Sequence, residues 1–200
     1  VESLPDYAFY SCENLLSVRL ESNYLKEMGK IPFSGCKKLT GIESDRNVSP
    51  FFSENAIIYQ REVDDNARAA GDLTIIECLE SRGDADSPDI YKRAAIDTEN
   101  DKMLPQVTAI AEEAFAYNQD ITSIDLSDTQ ITEIPKGCFK DASSLRSVIL
   151  PSTVTYIDDE AFYGTSPDVY IPNPTCAIGK AFDDAYIGNI YSYKYIDDTN

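Results

Sequence analysis

The chain has 200 residues, of which 42% are hydrophobic and 10% aromatic, and 35 acidic against 17 basic side chains give it a formal net charge of −18. This apolar content excludes a disordered tail, and the strong negative charge makes nucleic acid and anionic membranes poor partners. Histidine is absent, which excludes Ser-His-Asp and Cys-His catalysis and every histidine-containing metal site.

Two further absences bear on where the chain resides. No run of apolar residues approaches the length of a membrane-spanning helix, so we expect no membrane insertion by this segment. The chain opens with VESLPDYAF, without an initiator methionine or a basic-then-apolar leader, and we expect it to be part of a longer protein. Under that expectation, the lack of a signal peptide here says nothing about export.

The chain is organised by a repeat that is marked by phenylalanine. Five such residues lie at separations of 24, 82, 24 and 23 residues: Phe9, Phe33, Phe115, Phe139 and Phe162. Apolar residues recur five positions before each of them and, in four of the five, six and nine positions after, as Ile110, Ile121 and Ile124 do around Phe115. A period of this length is typical of leucine-rich repeats, and a single unit cannot bury its own apolar face. The sequence therefore predicts a solenoid of stacked units.

Each unit contains two kinds of local pattern. SIDL and SVIL alternate apolar and polar residues, which predicts half-buried strands. PDYAF, AEEAF and DDEAF are too short for a full helix and favour a single helical turn with acids near its N-terminal end. The predicted fold class is a leucine-rich-repeat solenoid, a right-handed β/α superhelix that is dominated by strands and has short helical turns.

We predict one domain over residues 1–200, with a single interruption. Repeats cover about 1–44 and 104–172, and an insertion of about 45–103 separates them. Two β-rich runs in the insertion, 56–60 and 73–79, flank a polar segment and predict a β-hairpin with a long loop. The Tyr-rich segment of about 173–200 is expected to be a C-terminal cap that covers the open end of the core.

Two segments carry a resemblance to a known family. LPSTVTYIDDEAFYGTSPDVYIP and LPQVTAIAEEAFAYNQDITSIDL are similar to the BspA-like class of leucine-rich repeats, whose pattern is roughly IP-x-x-V-T-x-I-G-x-x-A-F-x-x-C-x-x-L-x-x-I-x-I. The match covers 4–44 and 104–172. The family's Gly after Ile is replaced by Ala111, Pro135 and Asp158, so the turns are expected to vary between units.

The resemblance implies a bacterial cell-surface or secreted protein. Since no pair of carboxylates stands out and a solenoid offers no evident deep pocket, we expect no catalytic activity and no cofactor. The resemblance also implies protein binding or adhesion, with a host or matrix protein, or another cell-surface protein, as the partner. A structural spacer that presents another module is the alternative. A carboxylate-based hydrolase is a third possibility, because Asp and Glu are plentiful, although no pair of them stands out.

The predicted binding surface is the row of side chains that point outward from successive strands. Extended repeat surfaces are what solenoids use to bind partners. The residues expected there are Arg19, Glu43, Asp125, Ile149 and Tyr170. Ile149 and Tyr170 are apolar or aromatic at expected solvent positions, which favours contact with a partner. An ordinary solvated face with two apolar residues is the alternative.

Two acidic clusters are candidate metal sites. Asp158, Asp159 and Glu160 occupy repeat positions that other units fill with unrelated residues, so we interpret them as a solvated turn. The stretch 97–101 is richer in oxygen ligands but lacks the spacing and the glycine of an EF-hand loop. We therefore predict no metal site.

A loop motif and the cysteines complete the candidates. Arg82, Gly83 and Asp84 form the tripeptide that integrins recognise, but three residues also occur together by chance in loops. The five cysteines contain no C-x-x-C pair, and most are expected to be small buried residues. Cys12 and Cys36 occupy equivalent positions in adjacent units, within reach of a disulfide, although two free buried thiols are favoured.

Overall fold

The computed structural model describes residues 1–21, 24–45, 48–63, 69–80, 96–97, 102–103, 105–178 and 190–192. Over these residues the chain is a solenoid dominated by short strands, which confirms the predicted architecture. The strands are β1 (Ser3–Leu4), β2 (Val18–Leu20), β3 (Glu27–Met28), β4 (Ile42–Ser44), β5 (Phe51–Glu54), β6 (Ile57–Val63), β7 (Ala69–Cys78), β8 (Ile96–Asp97), β9 (Lys102–Met103), β10 (Val107–Ile110), β11 (Ser123–Asp125), β12 (Glu133–Ile134), β13 (Ser147–Ile149), β14 (Tyr156–Ile157), β15 (Asp168–Ile171), β16 (Ala177–Ile178) and β17 (Ile190–Ser192).

We name coils 1 to 5 by their repeat phenylalanines, which are Phe9, Phe33, Phe115, Phe139 and Phe162 in that order. Coils 1 and 2 form the first array, and coils 3, 4 and 5 form the second. Each coil contributes one strand that includes the position five residues before its phenylalanine and a second strand after it. The later strands pair in parallel as β2–β4 and as β11–β13–β15–β17, and the earlier ones as β1–β3 and as β12–β14–β16.

The core of the arrays is a ladder of equivalent apolar residues. The ring of Phe9 stacks on that of Phe33 with centroids 5.4 Å apart. In the second array, Phe139 stacks between Phe115 and Phe162 at 5.4 and 5.0 Å. These three rings are fully buried. The periodic phenylalanine that marks the repeat in the sequence is therefore the centre of each coil.

The expected short helical turns take another form. Two positions in every coil, two residues before and two residues after the phenylalanine, have positive φ: Tyr7, Ser11, Ile31, Gly35, Glu113, Tyr117, Gly137, Asp141, Glu160 and Gly164. A residue in the left-handed region cannot continue a right-handed helix, and no helix occurs in the described part of the chain. Successive tight turns are present instead, such as the one in which the Ala116 N–H donates to Glu113 O at 2.7 Å.

A hairpin lies between the two arrays, where the sequence predicts one. β5, β6 and β7 pair in antiparallel order, and β7 pairs in parallel with β10 of coil 3. We call β5, β6 and β7 the hairpin sheet. One face of the sheet packs into the core that contains Phe33, through Phe51, Ile58 and Ile76. The other face packs into the core that contains Phe115, through Phe52, Ile57, Tyr59, Leu73, Ile75 and Cys78. The hairpin sheet thus lies between the two cores and is buried on both faces.

The structure describes only part of the predicted insertion and only part of the predicted cap. β8 and β9 pair in antiparallel fashion within the insertion. In the segment of 173–200, β16 extends the sheet of β12 and β14, and β17 pairs with β15. The remainder of that segment lies outside the described residues, and the division of the domain at about 45, 103 and 173 stays a prediction.

Candidate functional site

Three of the predicted surface residues form one row across the second array. Asp125 is the Cα partner of Ile149 in the β11–β13 pair, and Ile149 is the partner of Tyr170 in the β13–β15 pair. The row continues in the backbone to Tyr191 of β17. Because equivalent residues of parallel strands point to the same face, the repeat register alone brings these three side chains together.

The face on which this row lies is set by strict alternation. Ile124 and Val148, which precede Asp125 and Ile149, are at most 1% exposed, whereas Asp125, Ile149 and Tyr170 are half-buried. The Asp125 carboxylate accepts a hydrogen bond from the Ser127 N–H at 2.9 Å. This bond holds the carboxylate at the end of β11. We call Asp125, Ile149 and Tyr170 the strand row.

The other two predicted surface residues lie together on the first array. Arg19 of β2 and Glu43 of β4 are Cα partners, and both are exposed. They line a surface depression of about 410 Å³ together with Leu20, Glu21, Ser44 and Asp45. Three carboxylates and one guanidinium group surround this depression. The structure therefore groups the five residues as a pair and a row on separate sheets, and their role in binding stays a prediction.

The acidic cluster of coil 5 is a local turn. The Asp158 carboxylate accepts the Asp159 N–H at 2.6 Å, and Glu160 forms an exposed ion pair with Lys136 at 3.5 Å. In the described ranges, no group of three acidic or cysteine side chains is placed to hold a metal ion. Of the second acidic stretch, 98–101 lies outside those ranges, as do Arg82, Gly83 and Asp84.

The cysteines are all free thiols. Cys36, Cys78 and Cys138 are buried, as expected for small apolar residues, and burial raises the pKa of the Cys36 thiol to about 11. Cys12 is exposed, so the expectation that it would be buried is wrong. Cys12 belongs to coil 1, whereas Cys36 lies between coil 1 and the hairpin sheet.

A tyrosine cluster was not anticipated. Tyr7, Tyr10 and Tyr117 line a depression of about 360 Å³, in which the rings of Tyr7 and Tyr10 meet edge to face at 6.2 Å. The Tyr7 hydroxyl donates to the Glu113 carboxylate, and this hydrogen bond, followed by burial, raises the pKa of Tyr7. Tyr7 and Glu113 are 106 residues apart in the chain but occupy the same position of coils 1 and 3. The signal available in the sequence was that tyrosines occupy turn positions close to the repeat phenylalanines.

A buried acid was also missed. Glu77 is 2% exposed, and its carboxylate accepts the Phe33 N–H at 3.1 Å. Burial, only partly opposed by this bond, raises the pKa of Glu77 to about 8. The signal in the sequence was a single acid inside the apolar run LTIIECL, which is unusual unless the acid has a specific partner.

The described part of the chain includes no helix that could cross a bilayer. Comparison with known families gives one match, described as BspA type leucine rich repeat region, in six copies over residues 1–58 and 96–185. These ranges include all five coils. No curated protein sequence matches the chain.

Solved structures share the fold. A leucine-rich cell surface protein from Faecalibacterium prausnitzii A2-165 is 24% identical, with a TM-score of 0.57 over 96% of this chain and 52% of that one. A leucine-rich repeat protein from Bacteroides capillosus ATCC 29799 is 21% identical, with a TM-score of 0.53 over 72% of this chain and 99% of that one. The pneumococcal vaccine antigen PcpA is 15% identical, with a TM-score of 0.60 over 96% of this chain and 48% of that one. This chain thus spans about half the length of the first and third of these proteins.

Proposed function

This chain belongs to the BspA-type leucine-rich-repeat family, and we propose that it is a non-catalytic protein-binding module on a bacterial cell surface or in a secreted protein. The observation that carries the proposal is the strand row, in which a carboxylate, an aliphatic and an aromatic side chain lie on adjacent strands. Aromatic residues surrounded by polar groups are typical of the centres of protein interfaces.

The partner that fits this surface is another protein. We propose a host or matrix protein, or a protein on another cell, that presents an apolar side chain next to a basic one. The apolar side chain would pack on Ile149 and Tyr170, and the basic one would meet the Asp125 carboxylate. The net charge of −18 favours the approach of a basic partner. A surface location is supported by the similar protein from Faecalibacterium prausnitzii, which is described as a cell surface protein.

A structural spacer is the second candidate. It is favoured by the hairpin sheet, which is buried on both faces and joins the cores of the two arrays. A continuous buried connection of this kind suits a module that holds another domain away from the surface. Such a spacer would bind nothing through the strand row.

The two candidates differ in a binding experiment with the 200-residue chain. The chain is immobilised and screened against matrix proteins and glycans, and any partner found is measured with a variant that carries Ile149→Ser and Tyr170→Ser. Serine is the residue that the array itself places at the neighbouring outward positions Ser123 and Ser147. We expect the variant to weaken binding by about tenfold or more.

The matched control is Tyr156→Ser. Tyr156 lies on β14, in the other sheet of the second array, and is 36% exposed. Binding that survives this control and is lost in the double variant supports the strand row as the interface. Binding that is unaffected by the double variant contradicts it, and the absence of any partner across the panel favours the spacer.

A further inference from the structure

The stacked coils are connected by a regular ladder of backbone hydrogen bonds in their turns. In coils 1, 3 and 4, the phenylalanine N–H and the N–H two residues later donate to backbone carbonyls of the next coil. In coil 1 these acceptors are Pro32 O at 2.7 Å and Ser34 O at 2.8 Å. In coil 4 they are Ala161 O and Tyr163 O, both at 2.8 Å. A buried N–H in this ladder requires an acceptor from whatever lies next to it.

The ladder is interrupted between coil 2 and coil 3. The Phe33 N–H donates to the Glu77 carboxylate at 3.1 Å, and the Gly35 N–H donates to the Glu80 carboxylate at 3.2 Å. Both acids lie at the end of β7 or just after it. Two side-chain carboxylates therefore occupy the places that two backbone carbonyls occupy next to coils 1, 3 and 4.

On its opposite side, the same segment bonds coil 3 through the main-chain groups of Cys78. The Cys78 N–H donates to Ala114 O at 2.8 Å, and the Asn118 side-chain amide donates to Cys78 O at 3.0 Å. The residues from 77 to 80 thus contact coil 2 through acidic side chains and coil 3 through the main chain. This segment, which we call the junction, lies between coil 2 and coil 3 and bonds both of them.

A β-bulge directs Glu77 toward the first array. Ile58 pairs with Glu77 and Tyr59 pairs with Ile75, so Ile76 is an extra residue on β7. A bulge of this kind changes the direction of the following side chains. Glu77 then lies on the side of Ile58 and accepts the Phe33 N–H, while Cys78 lies in the core of Phe115.

The charged and titratable groups around Glu77 do not neutralise it. Glu80 acts on Glu77 with a like charge, and the Cys36 thiol of coil 2 is close to both acids. Glu80 is half-buried, with Lys37 of coil 2 and Asp120 of coil 3 near it. Lys37 also forms an ion pair with Glu13 of coil 1 at 3.1 Å. Its positive charge therefore interacts with Glu13 as well as with Glu80. Burial dominates at Glu77, and among the described residues the Phe33 N–H is the group that stabilises the ionised form.

We propose that the contact between Glu77 and the Phe33 N–H is a proton-dependent joint between the two arrays, closed when Glu77 is protonated and loosened when Glu77 ionises. A protonated carboxyl still offers its carbonyl oxygen to the Phe33 N–H and carries no charge into the core. An ionised carboxylate without a cationic partner is costly to bury, so it favours the opened junction in which water reaches it.

The direction of the pH dependence follows from where the proton binds more tightly. The pKa of Glu77 is about 8 in the closed junction and returns toward the ordinary carboxyl range when the junction opens. The closed form therefore holds a proton that the opened form releases. The stability of the junction is fully present at low pH and is lost progressively as pH rises toward about 8.

Nuclear magnetic resonance on the 200-residue chain tests the joint directly. We expect the carboxyl carbon-13 shift of Glu77 to titrate near pH 8. We expect the hydrogen-exchange protection of the Phe33 amide, corrected for intrinsic exchange, to fall by roughly tenfold per pH unit between about pH 6 and 8. The Phe139 amide is the internal control, because it donates to the backbone carbonyl of Ala161 and has no titrating acceptor.

Glu77→Gln is the decisive variant, because glutamine keeps a carbonyl acceptor for Phe33 and removes the titration. Protection at Phe33 should then no longer depend on pH, whereas Glu27→Gln, an exposed change on β3 of the same array, should leave the wild-type behaviour intact. A Glu77 carboxyl carbon that titrates near the usual value of about 4.3 would overturn the proposal, and this measurement needs no variant. Equal pH dependence in Glu77→Gln and wild type would overturn it as well.

Discussion

The second array and the junction both provide hydrogen-bond acceptors for turn N–H groups, but the acceptors differ in chemistry. In coils 3 and 4 of the second array, the phenylalanine N–H and the N–H two residues later donate to backbone carbonyls of the neighbouring coil, as the Phe139 N–H does to Ala161 O. At the junction, the corresponding donors of coil 2 find the carboxylates of Glu77 and Glu80. The backbone acceptor is present whatever residue occupies the position, whereas the side-chain acceptor depends on one residue.

The difference between backbone and side-chain acceptors predicts where the molecule tolerates substitutions. A coil of the second array is defined by a few periodic core residues, and its turns vary freely in sequence. The junction has less freedom, because its individual side chains replace a missing stretch of coil. Substitutions should therefore act through packing in the array and through hydrogen bonding at the junction.

The largest effect is expected from the core ladder of the second array. Phe139→Ala removes a fully buried ring that stacks on two others, and we expect it to lower the free energy of unfolding by about 3–5 kcal/mol. Phe9→Ala is the matched control, because Phe9 is half-buried and stacks on one ring. Urea unfolding followed by circular dichroism measures both. Equal losses for the two variants would contradict a ladder in which a ring stacked on two others, as Phe139 is, is stabilised more than a ring stacked on one.

A smaller loss of folding stability should distinguish a residue at the junction from a residue of the second array at the same repeat position. Asn118 and Thr165 both lie three residues after the repeat phenylalanine, and both are buried. Asn118 bonds the carbonyl of Cys78 and the N–H groups of Asp120 and Ile121, whereas Thr165 bonds one carbonyl, that of Ala142.

We expect Asn118→Ala to cost about 2–3 kcal/mol and Thr165→Val about 1 kcal/mol, because the first leaves several buried groups without a partner. Thermal unfolding of the two variants, run side by side, gives the comparison. If Thr165→Val were the more destabilising, the junction would not depend on its side chains as described.

The smallest effects concern the left-handed turn positions within coil 5. Gly164 has φ of +68°, and a Cβ there would collide with the Asp141 side chain, so Gly164→Ala should cost about 1–2 kcal/mol. Glu160 has φ of +58° and forms only an exposed ion pair with Lys136. Because that pair contributes little, Glu160→Gly should relieve strain and raise stability by up to about 1 kcal/mol. Calorimetric unfolding would detect the loss of stability in Gly164→Ala and the gain in Glu160→Gly. A loss in Glu160→Gly would show that the Glu160 side chain contributes more to stability than its backbone strain costs.

The parts of the molecule that were predictable share a local cause. The interval between repeat phenylalanines predicted the coils, and the polar break between 60 and 73 predicted the antiparallel pair of β6 and β7. The alternation in SIDL and SVIL placed Asp125 and Ile149 on one face, and the repeat register then made them neighbours. Each of these follows from side-chain spacing along the chain.

Two expectations failed because they depended on backbone geometry or on neighbours. Glu113 and Glu160 were expected at the start of a helical turn, but both occupy left-handed positions, which an acid in the sequence does not reveal. Cys12 was expected to be buried like Cys36, but burial depends on the coils that pack on either side and not on the repeat position alone.

The sequence by itself determined the coil, its length and the residues that face the core, because an apolar period constrains the fold wherever it occurs. Only the tertiary structure decided what the hairpin does: β7 lies against coil 3 along its main chain, and a bulge at Ile76 aims Glu77 at coil 2. Phe33 and Glu77 are 44 residues apart and share no pattern. Their contact exists because a buried N–H at the end of one array must find an acceptor, and the folded chain provides a carboxylate at that point.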